Sequence, residues 1–506
     1  MTSVLRDALE GKMGIRIALI GGGAAAVSFI DSLLRHAESF ERDVEICIYE
    51  PGNLAKGQAF GPDLDCALLN LPNGSMSIRT HEEDHFLRWL ESQPIRHHLA
   101  YSGPDPADSF SPRRFFGQYL EANLRVCRET AEQRGWKVSV HEETVIEVAE
   151  AGQGTLLVRT GCEARSYTHV ILAIGAGSPA DPFQLKGTPG FHANPYPLAD
   201  VLPGLRDPHA PVLIIGTGLT AVDATMGLLH LGHQGCITMA SRNGILPQVR
   251  AAKEKKPLSH VTEERIQDQV TLGGVLQINT VLDLLQEELK AEGSDIETEF
   301  SWFHPSISAS DHLRYQLERP RSNPLQSILS RISFDLGDRI RYFLSGNAAR
   351  ALASHTQRMK SLQSPMPERT ARKLLAAMDS GQLSVLPGLT EVRFQSKAFL
   401  ASIADEEHGV HFVIDATRTS PGATHGRSRP LISSLRSNGY TTWDLSGGLR
   451  VEPRTGRVRL PSGDTHPRLF AIGEITAGAT YYAGSLPAVN RGADAVASAL
   501  ACMHSR

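Results

Sequence analysis

Short apolar runs that stop at glycine clusters set the pattern of this chain. Ile15-Arg-Ile-Ala-Leu-Ile20 reads as a buried strand and Gly21-Gly-Gly23-Ala-Ala-Ala26 as a turn. Val27, Ile30 and Leu34 then fall at i, i+3 and i+7, the apolar stripe of a helix. The pattern recurs in Pro211-Val-Leu-Ile-Ile215, Gly216-Thr-Gly218-Leu-Thr-Ala221, and Val222, Met226 and Leu229 at i, i+4 and i+7. A further strand-like run follows each unit, Val44–Tyr49 after the first and Ile237–Ala240 after the second. Strands alternating with helices predict an α/β fold with parallel sheets.

From about Lys253 to Asp379 the pattern changes. Ile278, Leu282, Leu285 and Leu289 recur at helical spacing, and Leu352 with Met359 and the run Ala371 to Met378 read as helical. Prolines at 305, 320, 324, 365 and 367 cut this stretch into pieces. Strand-like sequence resumes at Leu383–Leu386, Phe399–Ile403 and His411–Ile414. It appears again at Leu469–Ile472, and a last helix is expected over Val489–Cys502.

The glycine clusters carry chemistry. In Gly-x-Gly-x-x-Gly/Ala between a strand and a helix, the first glycine makes the turn and the second admits backbone close to a pyrophosphate. The third small residue packs helix on strand. The diphosphate sits on the positive helix N-terminus. Gly21, Gly23 and Ala26 fill these places first, and Glu50, at the end of the next strand, can accept both hydroxyls of an adenosine ribose. Gly216, Gly218 and Ala221 fill them again, but the next strand ends in Ser241-Arg242. An arginine there can pair with a 2′-phosphate that a glutamate would repel; its bland alternative is a solvated side chain. The first site is therefore expected to take a dinucleotide with a free ribose diol and the second NADP.

Composition narrows the class. Over 506 residues, Lys+Arg is 51 against Asp+Glu 55, so the net charge of −4 argues against general nucleic-acid binding. The six cysteines, at 47, 66, 127, 162, 236 and 502, include no C-x-x-C pair. No apolar run approaches the roughly 20 residues that span a bilayer, and the first residues lack signal-peptide character. The expectation is a soluble, cytoplasmic protein without nucleic-acid or membrane partners. His81-Glu-Glu-Asp-His85 fits the H-E-x-x-H zinc pattern. Thr80 and Glu83 equally form a capping box before a helix with Phe86, Leu87 and Leu90 on its buried face, and that reading, with no metal, is preferred. His97-His98 reads as surface. Residues 311–360 hold arginines at 314, 319, 321, 331, 339, 341, 350 and 358 plus Lys360. They form either a solvated helical face or a grip for a substrate carboxylate.

Three more segments, with local matches, carry a resemblance. Val170-Ile-Leu-Ala-Ile-Gly175 resembles the A-T-G strand at which two-dinucleotide-binding flavoproteins leave their FAD domain. Phe412-Val-Ile-Asp-Ala-Thr417 resembles the D-A-T-G strand of return, and Leu469-Phe-Ala-Ile-Gly473-Glu474 the G-D segment beside the flavin ribityl chain, with Glu in place of Asp. Gly57-Gln-Ala-Phe60, Leu68-Leu-Asn70-Leu-Pro72, Met76-Ser77, Phe86–Leu90 and Pro112-Arg-Arg114 with Gly117-Gln-Tyr-Leu120 are similar to the group that includes bacterial flavin-dependent aspartate N-monooxygenases forming nitrosuccinate. Ornithine and lysine N-hydroxylases are similar at a greater distance.

The resemblance implies α/β architecture of two Rossmann-like dinucleotide-binding domains with a mostly helical insertion. Residues 1–205 begin the FAD domain and 206–252 the NADP domain. Residues 253–379 form the insertion and candidate substrate region, 380–408 return to the NADP domain, and 409–506 complete the FAD domain. It implies FAD against Gly175, Gly473 and Glu474, with Asn70 and Met76 in a flavin-covering loop. Asn70 has an alternative role in a turn with Pro72, Asn73 and Gly74. It implies NADPH at the second site, molecular oxygen as co-substrate, and a small, carboxylate-bearing amine substrate oxygenated through a flavin C4a-hydroperoxide. A homo-oligomer is compatible with it. Two rivals stand beside this: a flavin reductase or dehydrogenase that does not oxygenate, and a flavin-binding redox sensor. Gly190-Phe-His192-Ala-Asn-Pro-Tyr196 departs from the F-x-G-x-x-x-H of better-known flavin monooxygenases, and no C-x-x-x-x-C marks a disulfide reductase.

Overall fold

The computed structural model describes residues 14–505 apart from 41–42, 95–104, 153, 176, 178, 180, 206, 252–255, 302, 305–306, 319–322, 418–425, 445–447 and 481. His97-His98, Pro305, Arg319, Pro320 and Arg321 lie outside the described residues, as does the side chain of Arg339.

The first sheet has six strands in the order Arg457–Arg459, Thr465–Ala471, His169–Leu172, Ile15–Ile20, Val44–Tyr49, Lys137–His141. All its pairs are parallel except the one at the Arg457–Arg459 edge. Alternation along Ile15–Ile20 explains its two-sided burial. Ile17 and Leu19 enter a core with the helices Ala24–Arg35, Arg113–Gln133 and Leu486–His504. Ala18 and Ile20 enter a core on the other face, under the three-stranded sheet Val145–Gly152, Thr155–Thr160, Ala164–Tyr167.

The second sheet repeats the plan. Its order is Leu383–Leu386, Ile237–Ala240, Val212–Ile215, Phe412–Asp415, Phe191–His192, all parallel. Val212 and Ile214 pack on the helix Leu219–His230 side, and Leu213 and Ile215 face the sheet of Leu389–Gln395, Ala398–Ile403 and Glu406–Val410. Both the short strand Phe191–His192 and Phe412–Asp415 belong to this second sheet. Strand membership therefore puts the chain's crossings between Leu172 and Phe191 and after Asp415, not at the expected 205 and 409.

Between the second sheet's strands lies the helical stretch, nine helices among the described residues, from Glu263–Gly273 to Glu368–Asp379. Most of it packs around its own apolar clusters, with Leu285, Leu289, Leu325, Ile328, Leu329 and Leu362 at the centre of one. The expected stripe on Ile278–Ala291 is partly shifted. Leu284, Leu285 and Leu289 are buried, whereas Leu282 is 41% exposed.

Candidate active site

Register builds the site. Ile20 pairs with Tyr49 and with Leu172, and Leu172 pairs with Ala471, so these strands end level at their carboxyl edges. The next residues of each, Gly21, Glu50, Ala173 and Ile472, leave the sheet together. The strand Ile15–Ile20 has its sequence successor on one side and His169–Leu172 on the other, so this edge is the point where strand order reverses. Open α/β sheets bind ligands in that crevice. Here it is a cavity of about 650 Å³.

Gly21, Gly23, Glu50, Asn70, Met76, Gly175, Gly473 and Glu474 all line this cavity. Gly21 has φ +102°, and a Cβ there would lie 2.3 Å from the Ala173 carbonyl oxygen, so only glycine serves this turn. Gly23 is the N-cap of Ala24–Arg35 and supplies no side-chain cap, and no acid stands in the first turn. Ala24 and Ala25 line the cavity, so an uncapped, positive helix end faces it. Ala26 is 1% exposed and packs in the core behind the loop, the helix–strand contact its position predicts. Glu50 accepts the backbone N–H of Gly22 at 2.9 Å and that of Gly52 at 3.1 Å. Glu474 replaces the shorter acid of the resembled segment, and glycine makes room for it. A Cβ on Gly484 would lie 2.0 Å from Glu474 Oε2.

These features suit a dinucleotide. A donor-rich helix end can meet a diphosphate, a carboxylate at the strand end can meet a ribose diol, and the cavity continues past Gly473 to Asn70 and Met76.

The loop at that far end divides its labour. Asn73 is fully buried; its Nδ2 donates to the Pro106 carbonyl at 3.2 Å, and its Oδ1 accepts the Ser111 N–H at 3.2 Å. The turn is thus the work of Asn73. The Asn70 amide lines the cavity and makes no hydrogen bond among the described residues, while its backbone carbonyl accepts from Arg250 Nη2. Burial pulls the Arg250 guanidinium down to about 10 against the opposing effect of Tyr482.

The second loop lies outside this cavity. Val212–Ile215 pairs with Ile237–Ala240 and with Phe412–Asp415, so Gly216 and Ser241 also leave one sheet edge together. Gly218 caps Leu219–His230 without a side-chain bond, and Ala221 is buried. Ser241 Oγ accepts the Gly244 N–H at 2.9 Å and shapes the loop, and Arg242 is exposed with no ion pair among the described residues. The first residue of that helix, Leu219, reaches the wall of the first cavity. The two glycine loops are therefore adjacent.

The helical insertion closes the cavity with Ser330, Ser333, Lys360, Gln363 and Ser364. None of the described arginine side chains of 311–360 lines it; Arg314 pairs with Asp379 at 2.7 Å and Arg341 with Asp444 at 3.1 Å. Arg113 does line it. Its Nε donates to the Leu68 carbonyl at 3.1 Å, and its Nη2 pairs with Asp223 Oδ2 at 2.5 Å. Sequence reasoning matched Arg113 within a motif without giving it a role, and left Arg250 unremarked. Neither pairing has a local spacing signal, since Asp223 and Asn70 are remote in the chain.

The H-E-x-x-H segment is not one helical turn. His81 sits in a turn, and the helix begins only at His85. The expected capping box is absent as well: Asp84 is the N-cap, and the Thr80 hydroxyl donates to Asp494 instead. His85 Nδ1 lies 2.6 Å from the Tyr119 hydroxyl.

Residues 18–177 match a family model described as FAD-NAD(P)-binding. Over 144 residues the chain is 34% identical to the L-aspartate N-monooxygenase (nitrosuccinate-forming) of Streptomyces cremeus, a stretch covering 26% of this chain and 21% of that protein. The chain thus matches about a fifth of that relative's length. Among solved structures, the ornithine N-hydroxylase of Kutzneria sp. 744 superposes with a TM-score of 0.57 at 14% identity, over 97% of this chain and 100% of that one. The ornithine hydroxylase of Pseudomonas aeruginosa gives 0.57 at 13% over 97% and 100%, and L-lysine 6-monooxygenase from Pseudomonas syringae 0.54 at 14% over 96% and 98%. At these identities the likeness is one of fold: an α/β fold of the two-dinucleotide-binding flavoprotein type. No helix among the described residues is long and apolar enough to cross a membrane.

Proposed function

We propose that this chain, with its FAD-NAD(P)-binding segment at 18–177, is an FAD-dependent, NADPH-consuming monooxygenase that N-hydroxylates a small amine, most simply an amino acid. The observation that carries the reading is adjacency. The cavity with the Gly21–Gly23 loop, Glu50 and Glu474 is touched by Leu219, the first residue of the helix that opens the second glycine loop. A hydride donor held on one helix end would lie beside an acceptor held on the other. Bound FAD supplies hydride acceptance and oxygen activation.

The chain's own groups do the rest. The N-terminus of Ala24–Arg35 would hold the FAD diphosphate, and Glu50 would accept ribose hydroxyls. Asn70 would offer its amide to the flavin end, where it can both donate and accept. Met76, 2% exposed, excludes water there. The N-terminus of Leu219–His230 would hold the NADPH diphosphate and Arg242 its 2′-phosphate. Ser330, Ser333, Lys360, Gln363 and Ser364 would face the substrate, with Lys360 suited to a carboxylate.

The test is anaerobic mixing of purified, flavin-loaded protein with NADPH, followed by air and a panel of amino acids and diamines, with products read by mass spectrometry. Flavin bleaching by NADPH and a product heavier by oxygen support the reading. Bleaching without any oxygenated product would leave a reductase, and no bleaching would end the proposal.

A further inference from the structure

We infer that Arg113 is a positioning residue, the centre of a latch that fixes the Leu68–Asn70 loop of the first nucleotide site to the helix that opens the second. The inference rests on the function proposed above. Arg113 starts the helix Arg113–Gln133 of the first domain, and Asp223 lies on Leu219–His230 of the second. Their side chains are 18% and 10% exposed and meet at 2.5 Å. The Tyr196 hydroxyl donates to the same Asp223 oxygen at 2.5 Å, and the Arg113 guanidinium lies 5.3 Å from the Tyr196 ring centroid. The other side of Arg113 donates to the Leu68 carbonyl. Two residues on, the Asn70 carbonyl is held by Arg250, which follows the second sheet's strand Ile237–Ala240. Leu69 between them is 3% exposed and anchored in the core.

Both carbonyls that flank Leu69 are thus held by guanidiniums linked to the second domain. A charged pair taken out of water is stable only in a narrow geometry, because loss of one partner strands the other. The helix Leu219–His230 therefore cannot shift against the loop without breaking a buried, charge-assisted contact. The end of that helix would carry the nicotinamide dinucleotide, and the loop carries Asn70 into the flavin end of the cavity. The latch sets the distance between hydride donor and acceptor, where small misplacements cost large factors in rate.

The test compares flavin-loaded wild type, Asp223→Asn, and the double variant Arg113→Met/Asp223→Leu, which replaces the pair by apolar side chains of similar bulk. Amide hydrogen exchange across residues 66–76 is read by mass spectrometry, and anaerobic flavin reduction is followed with NADPH and, separately, with dithionite. Both variants should exchange the 67–73 amides several-fold faster, although Asp223 lies in the other domain. At saturating NADPH, reduction should slow by about tenfold, with NADPH affinity changed less than about threefold and dithionite reduction unchanged. Unchanged exchange over 66–76 in the folded double variant overturns the latch, as does wild-type-like reduction by it. Should Asp223→Asn fail to fold, the double variant decides alone. A wild type that NADPH does not reduce would remove the proposed function and leave the exchange test to judge the latch.

Discussion

Glu50 and Gly22 are joined across the mouth of the first sheet: the carboxylate that would receive a ribose also holds the glycine loop through the Gly22 N–H at 2.9 Å. One side chain thus shapes the loop and offers it a ligand-binding acceptor. Glu50→Ala should lower FAD affinity by roughly 10- to 100-fold, the scale of one lost charge-assisted hydrogen bond. Glu50→Gln keeps an acceptor for Gly22 and should lose less. Flavin fluorescence during reconstitution of stripped protein measures both, and equal retention of flavin by all three proteins would remove Glu50 from the site.

Asn70 and Asn73 should separate cleanly. Asn73→Ala leaves the buried Ser111 N–H without its partner and takes one of two donors from the Pro106 carbonyl, which keeps the Ser109 N–H, and should cost about 1–3 kcal/mol, lowering the melting temperature by a few degrees. Asn70→Ala removes no side-chain bond within the described protein, so melting of the flavin-free form should move little while flavin affinity or reactivity falls several-fold. Thermal unfolding and flavin titration of the two variants side by side decide the assignment. The opposite pattern would return Asn70 to a turn role.

Exposure of Arg242 beside the second glycine loop carries a selectivity prediction. Arg242→Ala should raise the NADPH Michaelis constant by roughly 10- to 150-fold at most, the range of a charge-assisted bond worth about 1.5–3 kcal/mol. NADH, lacking the 2′-phosphate, should be nearly unaffected. Steady-state kinetics with both nucleotides provide the check, and parallel losses would place the 2′-phosphate elsewhere.

His169 should make the fold sensitive to acid. It is 1% exposed, and burial, with His504 and Arg468 adding, holds it down at about 3. The unfolded chain, with its histidine near about 6.5, binds more protons between these values. This histidine's stabilising contribution is therefore complete above that upper value. It declines as the pH drops below it, by up to about 1.4 kcal/mol per unit, and levels off below the folded value. His169→Gln should flatten the difference between urea midpoints measured at about pH 7 and about pH 5. An unchanged difference would show that other groups carry the slope.

Periodicity and glycine spacing made the two sheet units legible. Val44–Tyr49 and Ile237–Ala240 have the boundaries that their apolar runs imply, because strands buried on both faces are written as continuous apolar sequence. Eight of the residues expected at the first site line one cavity; six of them, Gly21, Gly23, Glu50, Gly175, Gly473 and Glu474, come there because register brings strand ends level, and strand ends are visible as glycines and acids. What sequence did not disclose is pairing at a distance. The Thr80–Glu83 spacing satisfied a capping rule, yet Thr80 bonds Asp494 from the last helix. The arginine-rich run is compatible in sequence with a solvated face or a carboxylate grip, and Arg314 and Arg341 answer acids of the protein itself. Arg113 gains its role from Asp223 and Leu68, neither of which lies near it in the chain.

The wall formed by Ser330, Ser333, Lys360, Gln363 and Ser364 has a consequence for how such an enzyme diversifies. Four of these side chains stand on helices, and Ser364 caps the end of one; the segment lends no strand to either sheet and settles largely around its own apolar clusters. Mutations there can redraw what the cavity admits while the glycine loops, Glu50 and the paired sheets keep their geometry. On the function proposed above, the part of the molecule that would choose a substrate is thereby free to drift, and a new preference could arise without rebuilding the glycine loops.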